Sequence, residues 1–416
     1  MKGIEEKQIE APYELPEGWK WEKWGNVGRF IAGNGFKEKF QGFTNYNIPF
    51  YKVGSLKFSD STGFLFDKTN TINDEILQEL KATLIPENSI IFAKIGEAIR
   101  LNRRGINSVK CCIDNNLMAF LSENCNYKYV FFWSKSIDLY KYTNATTVPA
   151  IRKSDLEEIP FPLPPTLAEQ QRIVNRIESM FVKLDEAKEQ AQNVVDGFET
   201  RKAAILHKAF TGELTAKWRK ENGVSDDSWV EKTIGECLIA ISDKYDPQKD
   251  KIDGVQYIGL ENIEANGGII STGAVSSVKS IKTLFKNNDL LYGKLRPYLN
   301  KHDIVEFDGI CSTDILVYRS KPEYEIKFFN YLFSQNCFIQ YAIENSNGIN
   351  LPRTSEKNIS AYSQKIPTLP EQIEIVRILD IIIEKENKAK QAAEAVLEQI
   401  DLLKKSILAR AFRGEL

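Results

Sequence analysis

The chain has 416 residues, which is enough for two or three domains, and its hydrophobic content of 42% is sufficient to fill their cores. No long window is uniformly apolar and residues 1–10 are rich in charge, so we expect neither a membrane span nor a signal peptide. The sequence has six scattered cysteines, none in a Cys-x-x-Cys pair, and two histidines, which argues against a disulfide framework and a zinc site. This cysteine usage favours a reducing, cytoplasmic environment. The net charge of −2 argues mildly against a nucleic-acid partner.

The first half of the chain mixes short β-like runs with turn residues. Residues 89–93 are predicted to form a buried strand, and the segment at residues 91–110 carries five basic residues against one acidic residue. Basic runs with interleaved polar side chains suit phosphate contacts and hydrogen bonds to base edges, where arginine and asparagine favour guanine and adenine. The alternative is a solvated charged loop. The candidate DNA-binding residues of this segment are Lys94, Arg100, Asn102, Arg103 and Arg104.

A second candidate surface precedes the first predicted helix. Residues 144–152 are mostly small and polar and end in an arginine, which suits contact with a DNA backbone. We single out Thr146 and Arg152 as DNA-binding candidates. An ordinary loop leading into the helix is an equally good interpretation of this segment.

A long helix is predicted to follow Pro165. Thr166 and Glu169 have the spacing of a capping box, only Gly197 interrupts the helix, and Gly212 is its expected stop. Apolar residues recur at alternating steps of four and three, which is the heptad pattern of a coiled coil. The residues of this stripe that we expect to form the spacer are Ile173, Ile177, Leu184, Phe198 and Ile205.

The second half of the chain has the same layout. A strand is predicted at residues 289–292, inside a basic run at residues 279–301, and a polar loop at residues 345–353 again ends in an arginine. Because both halves place a basic run beside the same strand, the solvated-loop alternative is weaker for the pair than for either run alone. The candidate DNA-binding residues are Lys279, Lys282, Lys294, Arg296, Asn300 and Lys301 in the run, and Asn350 and Arg353 in the loop.

A second heptad helix is predicted near the end of the sequence. Thr368 and Glu371 repeat the capping box, Pro370 costs little in the first turn because its missing N–H has no helical partner there, and Gly414 is the expected stop. The stripe residues expected to form the spacer are Ile375, Leu379, Val396, Ile400 and Ile407, and the same pattern includes Leu403.

The two stripes have the same length and phase, which favours an antiparallel coiled coil between the two helices. About 45 residues would span roughly 67 Å, so the pair would act as a rigid spacer. The alternative is that each helix packs on its own globular domain.

An internal repeat organises the chain. Residues 165–170 match residues 367–372, and residues 204–214 match residues 406–416, both at an offset of 202. We therefore predict an α+β protein with a pseudo-two-fold repeat, in which two recognition domains of mixed α/β structure are joined by two long helices. The predicted division is 1–163 for the first recognition domain, 164–215 for the first helical spacer, 216–365 for the second recognition domain and 366–416 for the second helical spacer.

Catalytic motifs are missing from the sequence. It contains no Gly-x-Gly-x-x-Gly, no Walker-type phosphate loop and no element of the kind that adenine methyltransferases use. Two histidines cannot support an HNH-type nuclease. The segment Glu186-Ala187-Lys188 could mimic part of a carboxylate–lysine nuclease site, but it falls within the helical stripe. We expect this chain to catalyse nothing itself and to bind no metal.

The segments at residues 159–165, 169–174 and 210–214, with their second copy at residues 365–416, resemble the conserved regions of specificity subunits of type I restriction–modification enzymes. Residues 92–96 and 292–297 resemble segments of the target-recognition domains in the same family. The resemblance covers nearly the whole chain and is most specific in the helices. The proline run ahead of the second helix is shorter than the first, so the start of that helix is less well defined.

The resemblance implies a DNA-reading subunit of an enzyme complex. Each target-recognition domain would read one half of a split double-stranded DNA site from the major groove, with half-sites roughly 34 Å apart. Two modification subunits would methylate adenine N6 after flipping the base, and restriction subunits would translocate and cleave the DNA. S-adenosylmethionine, ATP and Mg would then bind to these partners, and no cofactor is expected in this chain. We also expect residues 1–17 to lie near the end of the second helix.

Three other interpretations stay open. A specificity subunit of a type IIB-like enzyme shares this architecture and differs only in its partner. A coiled-coil scaffold with two protein-binding heads would have no role in DNA binding. A stand-alone methyltransferase is disfavoured by the missing cofactor motifs.

Overall fold

The structure is a computed structural model and describes residues 11–60, 62–144, 148–246, 249–250, 255–273 and 280–416. The chain divides into two compact units, the first formed by residues 1–192 and 394–416 and the second by residues 193–393. Each unit therefore contains part of both long helices. Within the described ranges, no helix combines the length and apolar character that crossing a membrane requires.

The first unit begins with a mixed domain of nine strands and three short α-helices among the described residues. The elements are β1 (Lys20–Lys23), β2 (Gly28–Ala32), β3 (Ile48–Tyr51), β4 (Thr71–Ile72), α1 (Asp74–Leu80), β5 (Ile90–Ala93), β6 (Arg104–Ile106), β7 (Cys112–Ile113), β8 (Leu117–Ser122), α2 (Tyr127–Ser136), α3 (Lys153–Glu157) and β9 (Pro160–Leu163). Their main sheet has the order β2-β8-β5-β6, and β3 lies between β4 and β7 in a smaller sheet. Strand β5 is an inner strand and all four of its residues are buried, which confirms the buried strand predicted at residues 89–93.

Large aromatic side chains fill the core of this domain. Trp24 is fully buried and its ring contacts Phe30, Phe92, Phe120 and Trp133, with ring centroids 4.8 to 5.7 Å apart. Each such side chain removed from water contributes about 1.5–3 kcal/mol. Packing in this core holds β5 in place, and β5 in turn determines where the backbone of the residues after Ala93 begins.

Helix α4 (Leu167–Asp196) leaves this domain and packs antiparallel to the last part of a long helix whose bounds are Leu369–Phe412. The Lys404 ammonium donates to the Asp185 carboxylate, and Lys188 lies 4.0 Å from Asp401. The residue numbers rise along one helix as they fall along the other, which confirms the antiparallel pairing in this unit.

The start of α4 also belongs to the domain core. Ile173 and Ile177 are buried in the same cluster as Trp24, together with Leu408 and Phe412 from the end of the last helix. Packing on the domain, which the sequence offered as an alternative to helix pairing, is thus present beside the pairing.

The second unit has the same plan. After the helices α5 (Phe198–Phe210) and α6 (Ala216–Asn222), its elements are β10 (Val230–Thr233), α7 (Ile234–Cys237), β11 (Leu238–Ile241), β12 (Lys244–Tyr245), β13 (Gln256–Ile258), β14 (Lys282–Phe285), β15 (Leu290–Gly293), β16 (His302–Ile304), β17 (Gly309–Cys311), β18 (Ile315–Ser320), α8 (Ile326–Phe333), α9 (Asn336–Glu344), α10 (Glu356–Ser360), β19 (Ser363–Ile366) and α11 (Leu369–Phe412). The main sheet has the order β11-β18-β15-β16, which repeats the order of the first unit. The small pairs β1-β9 and β10-β19 correspond in the same way, so the repeat seen in the sequence is a repeat of fold.

Helix pairing in the second unit is also antiparallel. The Arg201 guanidinium donates to the Glu386 carboxylate over 2.7 Å, and the Lys390 ammonium lies 4.8 Å from the centre of the Phe198 ring. In the sequence, Arg201 and Glu386 are charged residues at positions where the heptad steps of the two stripes call for an apolar residue. The structure pairs them with each other, so each interruption compensates the other.

Both glycine stops are confirmed, but of the first capping box only the Thr166 half is present, because the Glu169 carboxylate accepts from Arg172. Gly212 and Gly414 follow their helices with φ of +77° and +75°, and the Thr166 hydroxyl accepts from the Glu169 N–H over 3.2 Å. The second capping box is wrong. The Glu371 carboxylate is fully buried and accepts from Thr215 instead of returning to the backbone at residue 368.

The predicted stripe of α11 is wrong at two positions in its last third, Val396 and Leu403, whereas Ile400 and Ile407 keep their predicted places. Val396 and Leu403 are 40% and 47% exposed, whereas Ile400 is buried and Leu397 is half-buried. The side chain of Lys404 takes the seam position where an apolar residue was expected. Its stem can cover apolar surface while its ammonium reaches Asp185. The remaining spacer candidates, Ile173, Ile177, Leu184, Phe198, Ile205, Ile375, Leu379 and Ile407, are buried or half-buried.

Candidate nucleic-acid interface

In the first unit, the two predicted DNA-binding segments lie side by side. The Gly96 N–H donates to the Pro149 carbonyl over 2.7 Å, and the Ile151 N–H donates to the Lys94 carbonyl over 2.9 Å. These bonds frame a bridge between Ile95 and Ala150. The residues after β5 and the loop before α4 therefore form a single surface, which we call the first paired loop (residues 94–104 and 148–152).

The second unit builds the same arrangement from equivalent residues. The Arg296 N–H donates to the Pro352 carbonyl over 2.7 Å, and the Thr354 N–H donates to the Lys294 carbonyl over 3.0 Å. Leu295 forms a bridge with Arg353. We call this surface the second paired loop (residues 294–301 and 347–354). The fold thus brings together, in each unit, two segments that the sequence singled out separately.

Three arginines of the first paired loop remain accessible. Arg100 is exposed, forms an ion pair with Glu97 at 2.8 Å and stacks on the Tyr140 ring at 3.6 Å. Arg103 is half-buried and Arg152 is exposed, and within the described ranges their guanidinium groups form no hydrogen bond or ion pair. These two charges are the least compensated on this surface, so they are the best placed to meet a phosphate. Lys94 is half-buried beside them.

Arg104 does not have the role predicted for it. Its residue is 4% exposed, and its guanidinium donates to the Asn102 side chain over 2.8 Å and lies 5.5 Å from the centre of the Phe92 ring. Burial lowers the pKa of Arg104 to about 9, so the group still carries its charge at neutral pH. This charge is held inside the domain and is not presented to DNA.

Two asparagines chosen as adenine readers instead serve the local fold. Asn102 and Asn300 have φ of +49° and +43°, a left-handed conformation that asparagine tolerates better than most residues. The Asn102 amide donates to the Ile137 carbonyl over 2.9 Å, just past the end of α2, and the Asn300 amide donates to the Phe333 carbonyl over 3.0 Å, at the end of α8. Asn300 is also 1% exposed, so neither amide is directed at a partner.

The second paired loop keeps exposed polar groups at Arg296, Asn350 and Arg353. Arg353 forms an ion pair with Asp314 at 2.8 Å. Burial lowers the pKa of the half-buried Lys294, and the nearby Asp314 carboxylate opposes that shift. Lys301 is half-buried and its ammonium donates to the Leu260 carbonyl over 2.6 Å, so this group is already engaged by the protein.

The other candidates of the second half lie elsewhere or cannot be placed. Lys282 lies on β14, and its ammonium donates to the Ser280 hydroxyl over 2.6 Å. Thr146 and Lys279 lie outside the described residues.

Sequence reasoning missed the apolar component of both surfaces. Val148 and Leu351 are 54% and 53% exposed, and Ile349 is fully exposed. These residues neither form side-chain hydrogen bonds nor carry charge, so a pattern of polar and basic residues does not reveal them. A branched aliphatic residue directly before proline in both loops is the signal that could have identified them.

The segment predicted to lie near the end of the last helix does so where it is described. The Tyr13 hydroxyl donates to the Phe412 carbonyl over 2.9 Å, and Pro16 lies against Gly414. Residues 1–10 of this segment lie outside the described ranges.

The chemistry available on the paired loops is that of recognition. They offer guanidinium, amide and aliphatic groups on rigid backbone, which suit phosphates and base edges. Across the described residues, no group of three or more His, Cys, Asp or Glu side chains is arranged to hold a metal ion. A fold repeated twice, with the same basic surface on each copy, defines a tandem DNA-recognition protein.

Comparison with known proteins gives the family. The model of the type I restriction modification DNA specificity domain matches residues 16–195 and 226–399, and the chain belongs to this family. It is 28% identical over 310 residues to the EcoDI specificity subunit of Escherichia coli, which covers 68% of this chain and 69% of that protein. It is 22% identical to the EcoKI specificity subunit of Escherichia coli K12, over 97% of this chain and 90% of that protein.

Solved structures share the fold along the whole chain. The HsdS subunit from Thermoanaerobacter tengcongensis superposes with a TM-score of 0.67 at 18% identity, covering 98% of this chain and 100% of that chain. A chain from a study of complex assembly and conformational transition in the type I R-M system gives a TM-score of 0.65 at 16% identity, covering 97% and 100%. At these identities the likeness concerns the fold, and it agrees with the predicted α+β architecture.

Proposed function

We propose that this specificity subunit reads a two-part DNA site, with the first paired loop on one half-site and the second paired loop on the other. The observation that carries the proposal is the equivalent pair of backbone bonds, Gly96 to Pro149 and Arg296 to Pro352, which builds the same surface twice. Two copies of one reader in a single chain suit a DNA site with two halves.

We assign the phosphate contacts of the first paired loop to Arg103 and Arg152. Neither guanidinium is engaged by another described residue, so both can neutralise phosphates without losing an existing bond. In the second paired loop, Arg296 and Asn350 are the exposed counterparts. Arg353 can contact DNA while its ion pair with Asp314 holds it in place.

The chain itself acts by recognition, and catalysis belongs to its partners. Two modification subunits with S-adenosylmethionine would methylate adenine in each half-site, and restriction subunits with ATP and Mg would translocate and cleave. Membership of the specificity family supports a DNA reader with partner subunits in a complex. It argues against a scaffold without a DNA role, and it leaves a type IIB-like enzyme as the alternative that only the partner distinguishes. We expect this complex to act in the cytoplasm, where its DNA substrate is.

The test is to co-express the chain with its cognate modification subunit and to map methylated adenines across the host genome. A split motif of two short defined blocks around an undefined gap is the expected result. Arg296→Ala, which removes a phosphate contact, should lower the extent of methylation at the mapped sites without changing the motif, whereas Lys217→Ala, which removes an exposed charge on α6, should leave methylation unchanged. Unmethylated DNA in the presence of a well-formed complex would refute the reader function.

A further inference from the structure

Two exposed apolar side chains stand on a short hairpin in the second paired loop. Asn347 and Arg353 close the hairpin by exchanging two backbone hydrogen bonds of 2.9 Å each, and Gly348 takes a φ of +102° within it. Between them, Ile349 is fully exposed and Leu351 is 53% exposed. The backbone that carries these side chains is therefore fixed, although the side chains themselves contact little of the protein.

The first paired loop has an apolar side chain in the equivalent place. Leu351 precedes Pro352, whose carbonyl accepts from the Arg296 N–H, and Val148 precedes Pro149, whose carbonyl accepts from the Gly96 N–H. Leu351 and Val148 are equally exposed, at 53% and 54%. A single exposed apolar residue is unremarkable in a soluble protein, but the same exposure at the same point of both copies indicates a shared use.

We propose that these side chains read thymine: Leu351 with Ile349 in one half-site, and Val148 in the other. The inference rests on the proposed function. The C5-methyl group of thymine is the apolar group on the major-groove edge of the base pairs, and aliphatic side chains recognise it by contact.

The charges around the hairpin direct it to DNA. Arg296 and Arg353, next to the aliphatic residues in the fold, are cationic and exposed, so a polyanion is attracted to this surface. A partner protein covering the same residues is the competing occupant, and the experiment separates the two.

The experiment uses the full chain in complex with its modification subunit, and DNA duplexes carrying the mapped site. Each thymine of the site is replaced in turn by deoxyuridine, which lacks only the C5-methyl group. For the wild type, we expect at least one replacement in each half-site to weaken binding about fourfold, the effect of one methyl group left uncovered. The double variant I349A/L351A should bind the normal site less tightly and lose its sensitivity to deoxyuridine in one half-site only. V148A should lose it in the other half-site only.

The matched control is Ile239→Ala. Ile239 is 47% exposed on β11, where it pairs with Arg319, and Arg319 bonds to Asp289 just before β15, at the opposite end of that strand from the paired loop. This variant should bind all duplexes as the wild type does.

Several results would overturn the inference. Wild-type binding that is indifferent to every deoxyuridine, or half-sites without an A·T pair, would exclude methyl recognition while leaving the reader function intact. Retained deoxyuridine sensitivity in I349A/L351A would do the same. Loss of subunit assembly in that variant, with normal DNA discrimination by what does assemble, would assign the hairpin to a protein partner. Failure of the wild-type complex to bind the mapped site at all would instead refute the proposed function.

Discussion

Replacing Arg103 and Arg104 one at a time should affect different properties, DNA binding in one case and folding stability in the other, although the two residues are adjacent. The Arg103 guanidinium is uncompensated among the described residues, so Arg103→Ala removes a charge that is available to DNA and little else. Arg104→Ala removes a buried group that stacks on Phe92 and bonds to Asn102 and to the Ser134 carbonyl. The first change should act on DNA binding and the second on folding.

The magnitudes follow from these contacts. One phosphate contact contributes about 0.9 to the slope of log K against log salt concentration, so between about 50 and about 200 mM salt the affinity of Arg103→Ala should fall by about 3.5-fold less than that of the wild type. For Arg104→Ala, the lost ring contact and the lost hydrogen bonds of a charged group sum to about 3 kcal/mol of unfolding free energy. Arg104→Ala should leave the salt slope of the folded fraction unchanged.

The assay is fluorescence anisotropy of a labelled duplex at several salt concentrations, paired with denaturant unfolding of each variant. Arg103→Lys is the matched control, because it retains the charge and should retain the slope. The reasoning fails if Arg103→Ala has the slope of the wild type, or if Arg104→Ala changes the slope while its stability is unaltered.

Three further predictions concern stability. Burial lowers the pKa of His302 to about 4, so the unfolded state binds the proton more readily than the folded state. The contribution of the neutral His302 to the free energy of unfolding is therefore complete above about pH 6.5 and is lost towards pH 4, by up to about 3 kcal/mol. H302Q should flatten this pH dependence in denaturant titrations. Glu371→Ala removes the fully buried carboxylate that accepts from Thr215 and Arg219 and leaves Arg219 a single ion pair among the described residues, with the exposed Asp226, so it should cost about 3 kcal/mol. Glu374→Ala, which breaks an ion pair near the surface of the same helix, should cost less than about 1 kcal/mol in the same unfolding assay. Ile400→Ala should cost about 2–4 kcal/mol and Val396→Ala less than about 1 kcal/mol, measured by thermal unfolding; equal costs would contradict the observed seam of α11.

The sequence predicted the long helices best, because the internal repeat and the heptad pattern indicate the same structure at many positions. Residues 204–214 and 406–416 match without a gap, and both end helices at a glycine with positive φ. Such patterns depend on backbone geometry and on burial averaged over many residues, so one exception does not change the result. The error at Val396 shows the limit of this averaging. A lysine whose stem covers apolar surface can occupy the seam, and hydropathy alone does not identify it.

The candidate site was harder to predict, because a side chain that can read a base can also complete a turn. Asn102 and Asn300 were chosen for their amides, but each sits at positive φ and donates to a carbonyl at or next to the end of a helix. Likewise, Arg104 and Arg103 have the same chemistry in the sequence, but Arg104 begins β6 opposite Phe92 of β5 and is buried, whereas Arg103 precedes the strand. Residues that contact DNA must therefore be sought among those that the fold does not already use, which include Arg103 and Arg152 for phosphates and the aliphatic residues beside the two prolines for bases.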